Sequence, residues 1–321
     1  MSGLLAVAAL AEGSDSTNTS DRPTLVIVVG APGEEEYGKQ FAQWAALWEK
    51  AGTQGGAKQI VVGLDPSDGG SDLARLQQLL KDEPKESQNE FWLILIGHGT
   101  FDGKEAKFNL RGPDLSATEL ASGLAAFRRP VALIDCASSS APFLSKLSGP
   151  GRVVITATRS GFEQNYARFG RYIAEATTDP EADLDKDGQT SLLEAFLIAA
   201  RRVAEFYESE GRLATEHALL DDNGDGLGTQ ADWFRGIRAV KKARDGAALD
   251  GLRAHQFHLV RSDQEQKMPP AVRAKRDELE LSIAKLRETK TQTPEDEYYR
   301  RLEVLLVELA KLNEQSDSKP R

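Results

Sequence analysis

Two side chains of this 321-residue chain have the types and placement of a nucleophile and its base: Cys136, the only cysteine, and His98. Each closes a short apolar run. Phe91-Trp92-Leu93-Ile94-Leu95-Ile96 leads into Gly97-His98-Gly99, and Val131-Ala132-Leu133-Ile134 leads into Asp135-Cys136-Ala137-Ser138. In open α/β sheets ligands bind beyond the carboxyl ends of the strands. Adjacent parallel strands would therefore bring thiol and imidazole to one edge. There a Cys136 thiolate would attack an acyl carbon and His98 would carry the proton, while the backbone N–H groups of Gly99 and Cys136 held the oxyanion. Taken singly, each motif is ordinary, because a strand-end Cys is usually a small buried hydrophobe. Their recurrence at two strand ends carries the catalytic reading, and a non-catalytic scaffold is its alternative. No C-x-x-C or G-x-S-x-G motif is present, and Pro142 stands where a phosphatase loop needs Arg.

A second chemistry is written in two aspartate-rich loops. Asp183-Leu184-Asp185-Lys186-Asp187-Gly188-Gln189-Thr190-Ser191-Leu192-Leu193-Glu194 has the EF-hand spacing. Carboxylates stand at positions 1, 3 and 5, Gly at the sharp turn and Glu at position 12, which supplies the hard oxygens Ca²⁺ requires. Gln189 would add its backbone carbonyl. Asp221 to Asp232 repeats the pattern, with Asp221, Asn223, Asp225, the Leu227 carbonyl and Asp232 as donors. The shorter Asp232 reduces bidentate reach. The cofactor expected is Ca²⁺, ordering this stretch near the substrate edge.

The elements that must position these groups can be read from periodicity. Thr24–Val29, Gln59–Gly63, Phe91–Ile96, Val131–Asp135 and Arg152–Thr156 are nearly unbroken apolar runs, as strands buried on both faces read. Helical patterns lie between them: Phe41, Trp44, Ala45 and Trp48 share one face, and Ser116-x-x-Glu119 is a capping box. Alternating strands and helices give a three-layer α/β domain. A sixth strand is expected at His255–Leu259, with His255 and His258 on opposite faces. His217 reads as a solvated helix residue. Leu279, Ile283 and Leu286, then Tyr298, Leu302, Leu305, Leu309 and Leu312, predict a C-terminal helical hairpin, with Pro294 opening its second helix.

With both motifs placed, the chain resembles the caspase–legumain clan of cysteine peptidases, and bacterial legumain-like proteins most. The resemblance spans about Thr24 to Leu259, including the strand order and Asp114-Leu115-x-x-x-x-Leu120. It implies a caspase-like fold with a mostly parallel six-stranded sheet, a His98–Cys136 dyad and Gly99 in the oxyanion hole. The implied activity is that of a calcium-binding cysteine endopeptidase acting on protein or peptide substrates; the alternative is a calcium-binding pseudo-peptidase scaffold. Ile134 stands where legumains have Glu and caspases Gln. That residue leaves P1 preference open, and Ser139, in place of the Gly of the legumain Cys-x-Ser-Gly-Ser run, leaves the pseudo-peptidase reading open.

Composition bounds the partners. With 40 Lys+Arg against 50 Asp+Glu the formal charge is −10, which argues against nucleic acid. No apolar run reaches the ~20 residues of a spanning helix. Leu4 to Ala11 is apolar and ends in Ala9-Leu10-Ala11, like a clipped signal peptide. If 1–11 is such a remnant the protein is exported, and otherwise it is cytoplasmic. The expected organisation is a leader and linker over 1–22, a peptidase-like domain over 23–262 with a calcium insertion over 179–234, and a hairpin over 268–316 open to self-association.

Overall fold

The computed structural model describes residues 22–65, 70–245 and 247–317. The candidate export segment lies outside these described residues. Five strands form the parallel part of the main sheet: β1 (Thr24–Val29), β2 (Lys58–Val62), β3 (Phe91–Ile96), β7 (Val131–Asp135) and β8 (Arg152–Thr156). Between β3 and β7 the short strands β4 (Gly99–Phe101), β5 (Ala106–Phe108) and β6 (Leu115–Ser116) form a separate antiparallel sheet. Two more strands, β9 (Leu219–Asp221) and β10 (Thr229–Gln230), join the main sheet antiparallel beyond β8. The order across the sheet is β10-β9-β8-β7-β3-β1-β2.

Apolar residues at alternating positions serve both faces, which is why the runs looked continuous. Leu25, Ile27, Ile94, Ile134 and Ile155 face α1 (Glu35–Gln54), α5 (Phe169–Ala176) and α6 (Leu192–Ser209). Val26, Val28, Leu93, Leu133 and Val154 face α2 (Asp72–Asp82), α3 (Ala117–Leu124) and α4 (Ala141–Leu147). The expected three layers are present, and Ser116 and Glu119 form the reciprocal capping box that opens α3. After the short α7 (Asp263–Lys267), α8 (Pro270–Glu288) and α9 (Glu295–Asp317) make the expected C-terminal hairpin. No helix among the described residues is long and apolar enough to cross a membrane.

The sheet has seven strands rather than six, and the strand expected at His255–Leu259 is absent. That segment is a 3-10 turn, Ala254–Gln256, followed by irregular chain. Its apparent alternation fails in space, because Phe257, His258 and Leu259 are all buried. Phe257 packs on Trp92 at 5.9 Å between ring centroids, and its carbonyl accepts Leu192 N–H at 2.8 Å, at the start of α6. The edge position went instead to β9 and β10, which flank the second aspartate-rich loop.

Candidate functional site

β1 lies between β2 and β3, because the chain runs from β1 out to β2 and then crosses back to β3. At such a reversal of strand order ligands bind beyond the carboxyl ends of the strands. The Gly30–Gly33 turn and Gly97-His98-Gly99 stand there, with Phe108 packed against Gly30 and Gly97. His98 Nε2 lies 3.1 Å from the Pro32 carbonyl, which can only accept, so Nε2 donates to it. Tyr37 and Phe41 of α1 pack edge-on to the imidazole at 5.0 and 5.1 Å, and Tyr166 lies 6.2 Å away. A single orientation of His98 is thereby fixed. Pro32 gave no sequence signal, because a backbone carbonyl carries no residue type.

Cys136 comes to the same end of the sheet on the same face, but deeper. The β3–β7 register pairs Leu95 with Asp135, and Cys136 N–H donates to Leu95 O at 2.9 Å. Continuing that register sets Cys136 beside Ile96 and Ser138 beside His98. Ser138 Oγ is indeed within 3.3 Å of Gly99 N and 3.2 Å of Gly99 O. The thiol is 1% exposed, inside the cluster that holds Trp44, Ile96 and Phe169. A Cβ on Gly170 would come within 2.7 Å of Cys136 Cβ, so α5 closes directly over it. Among the described residues the thiol makes no side-chain hydrogen bond. Burial, reinforced by the Asp135 and Glu216 carboxylates, holds it well above the ordinary thiol range. The two N–H groups expected to face an oxyanion have other acceptors, Ser138 Oγ for Gly99 and Leu95 O for Cys136.

In the first aspartate-rich loop three carboxylates converge. Asp183, Asp185 and Asp187 offer carboxylate oxygens within 4.8 Å of one another. Asp183 curls the chain by accepting Lys186 N–H at 2.6 Å and Gly188 N–H at 3.1 Å, with Lys186 and Gly188 at φ 64° and 90°. Glu194 is buried; one oxygen accepts Leu184 N–H at 2.7 Å and the other caps α6 through Ser191 N–H at 2.8 Å. The Gln189 side-chain oxygen accepts Ser262 N–H at 3.1 Å, tying the loop to the chain before α7. His255, expected on a strand, instead stands in the 3-10 turn Ala254–Gln256, its Nε2 3.0 Å from Asp185 Oδ2.

The second loop joins β9 to β10. Asp221 Oδ1 and Oδ2 accept Gly224 and Gly226 N–H at 3.0 and 2.9 Å, while Asn223 and Asp225 accept the amides two residues on. Asp225 Oδ2 is shut off from solvent and has no hydrogen-bond partner among the described residues. Asp232 lies exposed on the 3-10 turn Ala231–Trp233, and Leu227 is half-buried in the loop. Asp222 and Asp250, which sequence reasoning did not select, clasp this loop to the following segment. Asp222 accepts Gly251 and Ala254 N–H at 2.9 and 2.7 Å, and Asp250 accepts Asp222 N–H at 3.0 Å. His217 is half-buried outside any helix, with Nδ1 2.6 Å from Glu163 Oε1.

No protein-family description matches the chain, and no curated protein does. Solved structures similar to it include caspase-1 from Spodoptera frugiperda, at TM-score 0.40 and 10% identity over 63% of this chain and 87% of that one. The Drosophila initiator caspase Dronc is similar at TM-score 0.44 and 14% identity, over 72% of this chain and 96% of that one. A Geobacter sulfurreducens protein, GSU0716, gives TM-score 0.35 and 11% identity over 56% and 89%.

Proposed function

We propose that this chain is a calcium-ordered, non-catalytic counterpart of the caspase–legumain peptidases, a scaffold that binds protein or peptide at the carboxyl-end edge of the sheet. The observation that carries this reading is the burial of Cys136 at 1% exposure with its thiol pushed toward the neutral form. Nucleophilic attack needs an accessible thiolate, and a buried structural Cys is inert. The engaged N–H groups of Gly99 and Cys136 support the same reading.

Calcium is the ion that suits the donor set, hard oxygens from compact loops. Asp183, Asp185, Asp187, Glu194 and the Gln189 carbonyl would hold it in the first loop. In the second, Asp221, Asn223, Asp225, Asp232 and the Leu227 carbonyl are the donors, and the orphaned Asp225 Oδ2 supports a cation there. Bound Ca²⁺ supplies charge compensation and order to these loops.

One observation favours the second reading, a cysteine endopeptidase: His98 is already oriented by Pro32, as a general base should be. Catalysis would require Cys136 to turn outward. Its sulfur would bond to the peptide carbonyl carbon, His98 would return the proton to the leaving amine, and water would then release the acyl group.

An electrophilic thiol probe separates the two. In the folded protein with Ca²⁺, Cys136 should remain unlabelled over hours and become labelled on denaturation, with no cleavage of a peptide library. Rapid native labelling that falls on His98→Ala, together with cleavage, would overturn the scaffold and establish the peptidase.

A further inference from the structure

Helix α9 packs on α8 through one seam. Tyr298 is buried, and Leu302, Leu305, Leu309 and Leu312 are half-buried along it. A different stripe faces outward: Arg300, Val304, Val307, Glu308 and Lys311 are exposed and Glu297 is half-buried, and their spacing puts them on one face. Val304 is 61% and Val307 45% exposed, apolar residues in the middle of an otherwise charged surface. Arg300, Glu308 and Lys311 make no ion pair or side-chain hydrogen bond among the described residues, while Glu297 pairs with Arg301 along the helix.

The order of charges along this stripe is complementary to its own reverse. When two copies of α9 are laid antiparallel with Val304 on the two-fold axis, Val304 meets Val304. Arg300 then faces Glu308, and Glu297 faces Lys311. Each opposite-charge pair occurs twice, once on either side of the axis, as an isologous interface requires. A parallel pairing would set every charge against its like. The pattern therefore selects both the partner and its direction.

We propose that α9 is a self-association surface, on which a second copy of this chain docks antiparallel about Val304. The contact is one helix face wide and smaller than the ~1,200–2,000 Å² of stable interfaces. The dimer is accordingly weak, with a dissociation constant in roughly the micromolar range or above, and it loosens as salt screens the flanking pairs.

Sedimentation velocity on the full chain, over a concentration series at low salt, tests this. The wild type should show a concentration-dependent shift from monomer to dimer. Val304→Lys should abolish it, and Glu297→Lys or Lys311→Glu alone should weaken it on the order of tenfold, because each reverses two symmetry-related pairs. The double variant Glu297→Lys/Lys311→Glu restores complementarity and should recover the wild-type constant. A chain that stays monomeric throughout, or a dimer indifferent to Val304→Lys, overturns the proposal. So does failure of the double variant to recover while circular dichroism shows it folded. All substituted side chains lie outside the α8 seam, so the fold should tolerate them.

Discussion

Asp135 and His258 are both buried and carry pH dependences of opposite sign. Asp135 ends β7 with no exposure; Oδ1 accepts Ala137 N–H at 3.0 Å and Oδ2 has no partner among the described residues. Burial pushes its carboxyl up from 3.8 to about 7. The native state thus holds a proton that the unfolded chain has released, and stability falls as pH rises through that interval. Asp135→Asn keeps the acceptor for Ala137 and removes the ionisation. Its melting temperature should exceed the wild type's at pH 8, by the equivalent of at most ~4 kcal/mol, and converge with it near pH 4. Equal melting curves at both pH values would refute this. His258 runs the other way: burial, with His255 and Arg261 nearby, depresses it from 6.5 to about 3. The unfolded chain takes up that proton first, so stability is lost as pH falls from about 6.5 toward 3. His258→Phe should flatten the acid limb of a pH–denaturation profile. His258→Gln, neutral at every pH, gives the same reading without added bulk.

Helix α6 and the loops at its ends are where sequence spacing and three-dimensional placement agree in part. Glu194 was chosen as a calcium ligand from its position in the loop, and in the fold it also caps α6 through Ser191. Adding Ca²⁺ to chelated protein should raise the melting temperature, and Asp183→Asn should remove the first loop's share of that increase while leaving the α6 cap intact. Glu194→Gln should lower stability even without calcium, because the cap is charge-assisted, by about 1 kcal/mol or more. A calorimetric titration reads the first effect and chemical denaturation the second. Gly170→Ala tests the packing over the thiol: its Cβ would sit 2.7 Å from Cys136 Cβ and 2.8 Å from Trp44. Losses of about 1–3 kcal/mol are expected for such overpacking. What the sequence could not supply at this scale was depth. Cys136 and His98 both stand at strand ends, but only the register of β3 against β7 shows that Ser138, not Cys136, is level with the imidazole.

Across the whole molecule, legibility followed the source of each signal. The doubly buried strands are readable because burial on both faces makes each a continuous apolar run, and the hairpin seam because it repeats at three and four; β1, β3, β7 and β8 lie where their apolar runs placed them. The segment at His255–Leu259 was misread because a buried His imitates a polar position in an alternating pattern. Partners contributed by backbone or by distant chain, Pro32 at His98 and Asp250 at the second loop, leave no local trace. The seventh strand, β10, is two residues long and lies inside the second calcium pattern, below the length at which alternation is visible.

That short strand has a consequence for how the protein survives in concentrated solution. β10 closes the β9 flank of the sheet, held by two paired residues and by Thr229 Oγ1 donating to Asp250 at 2.5 Å. Because the second aspartate-rich loop is the hairpin connecting β9 to β10, removing the Ca²⁺ proposed there would free the closing strand and leave β9 as an open template for another chain. Chelated protein should accordingly form β-rich aggregates, with a lag that shortens with concentration, at temperatures well below global melting. Thioflavin fluorescence in the presence and absence of calcium would show it. A cation read at first as a shaper of a binding groove would then act as a guard against polymerisation.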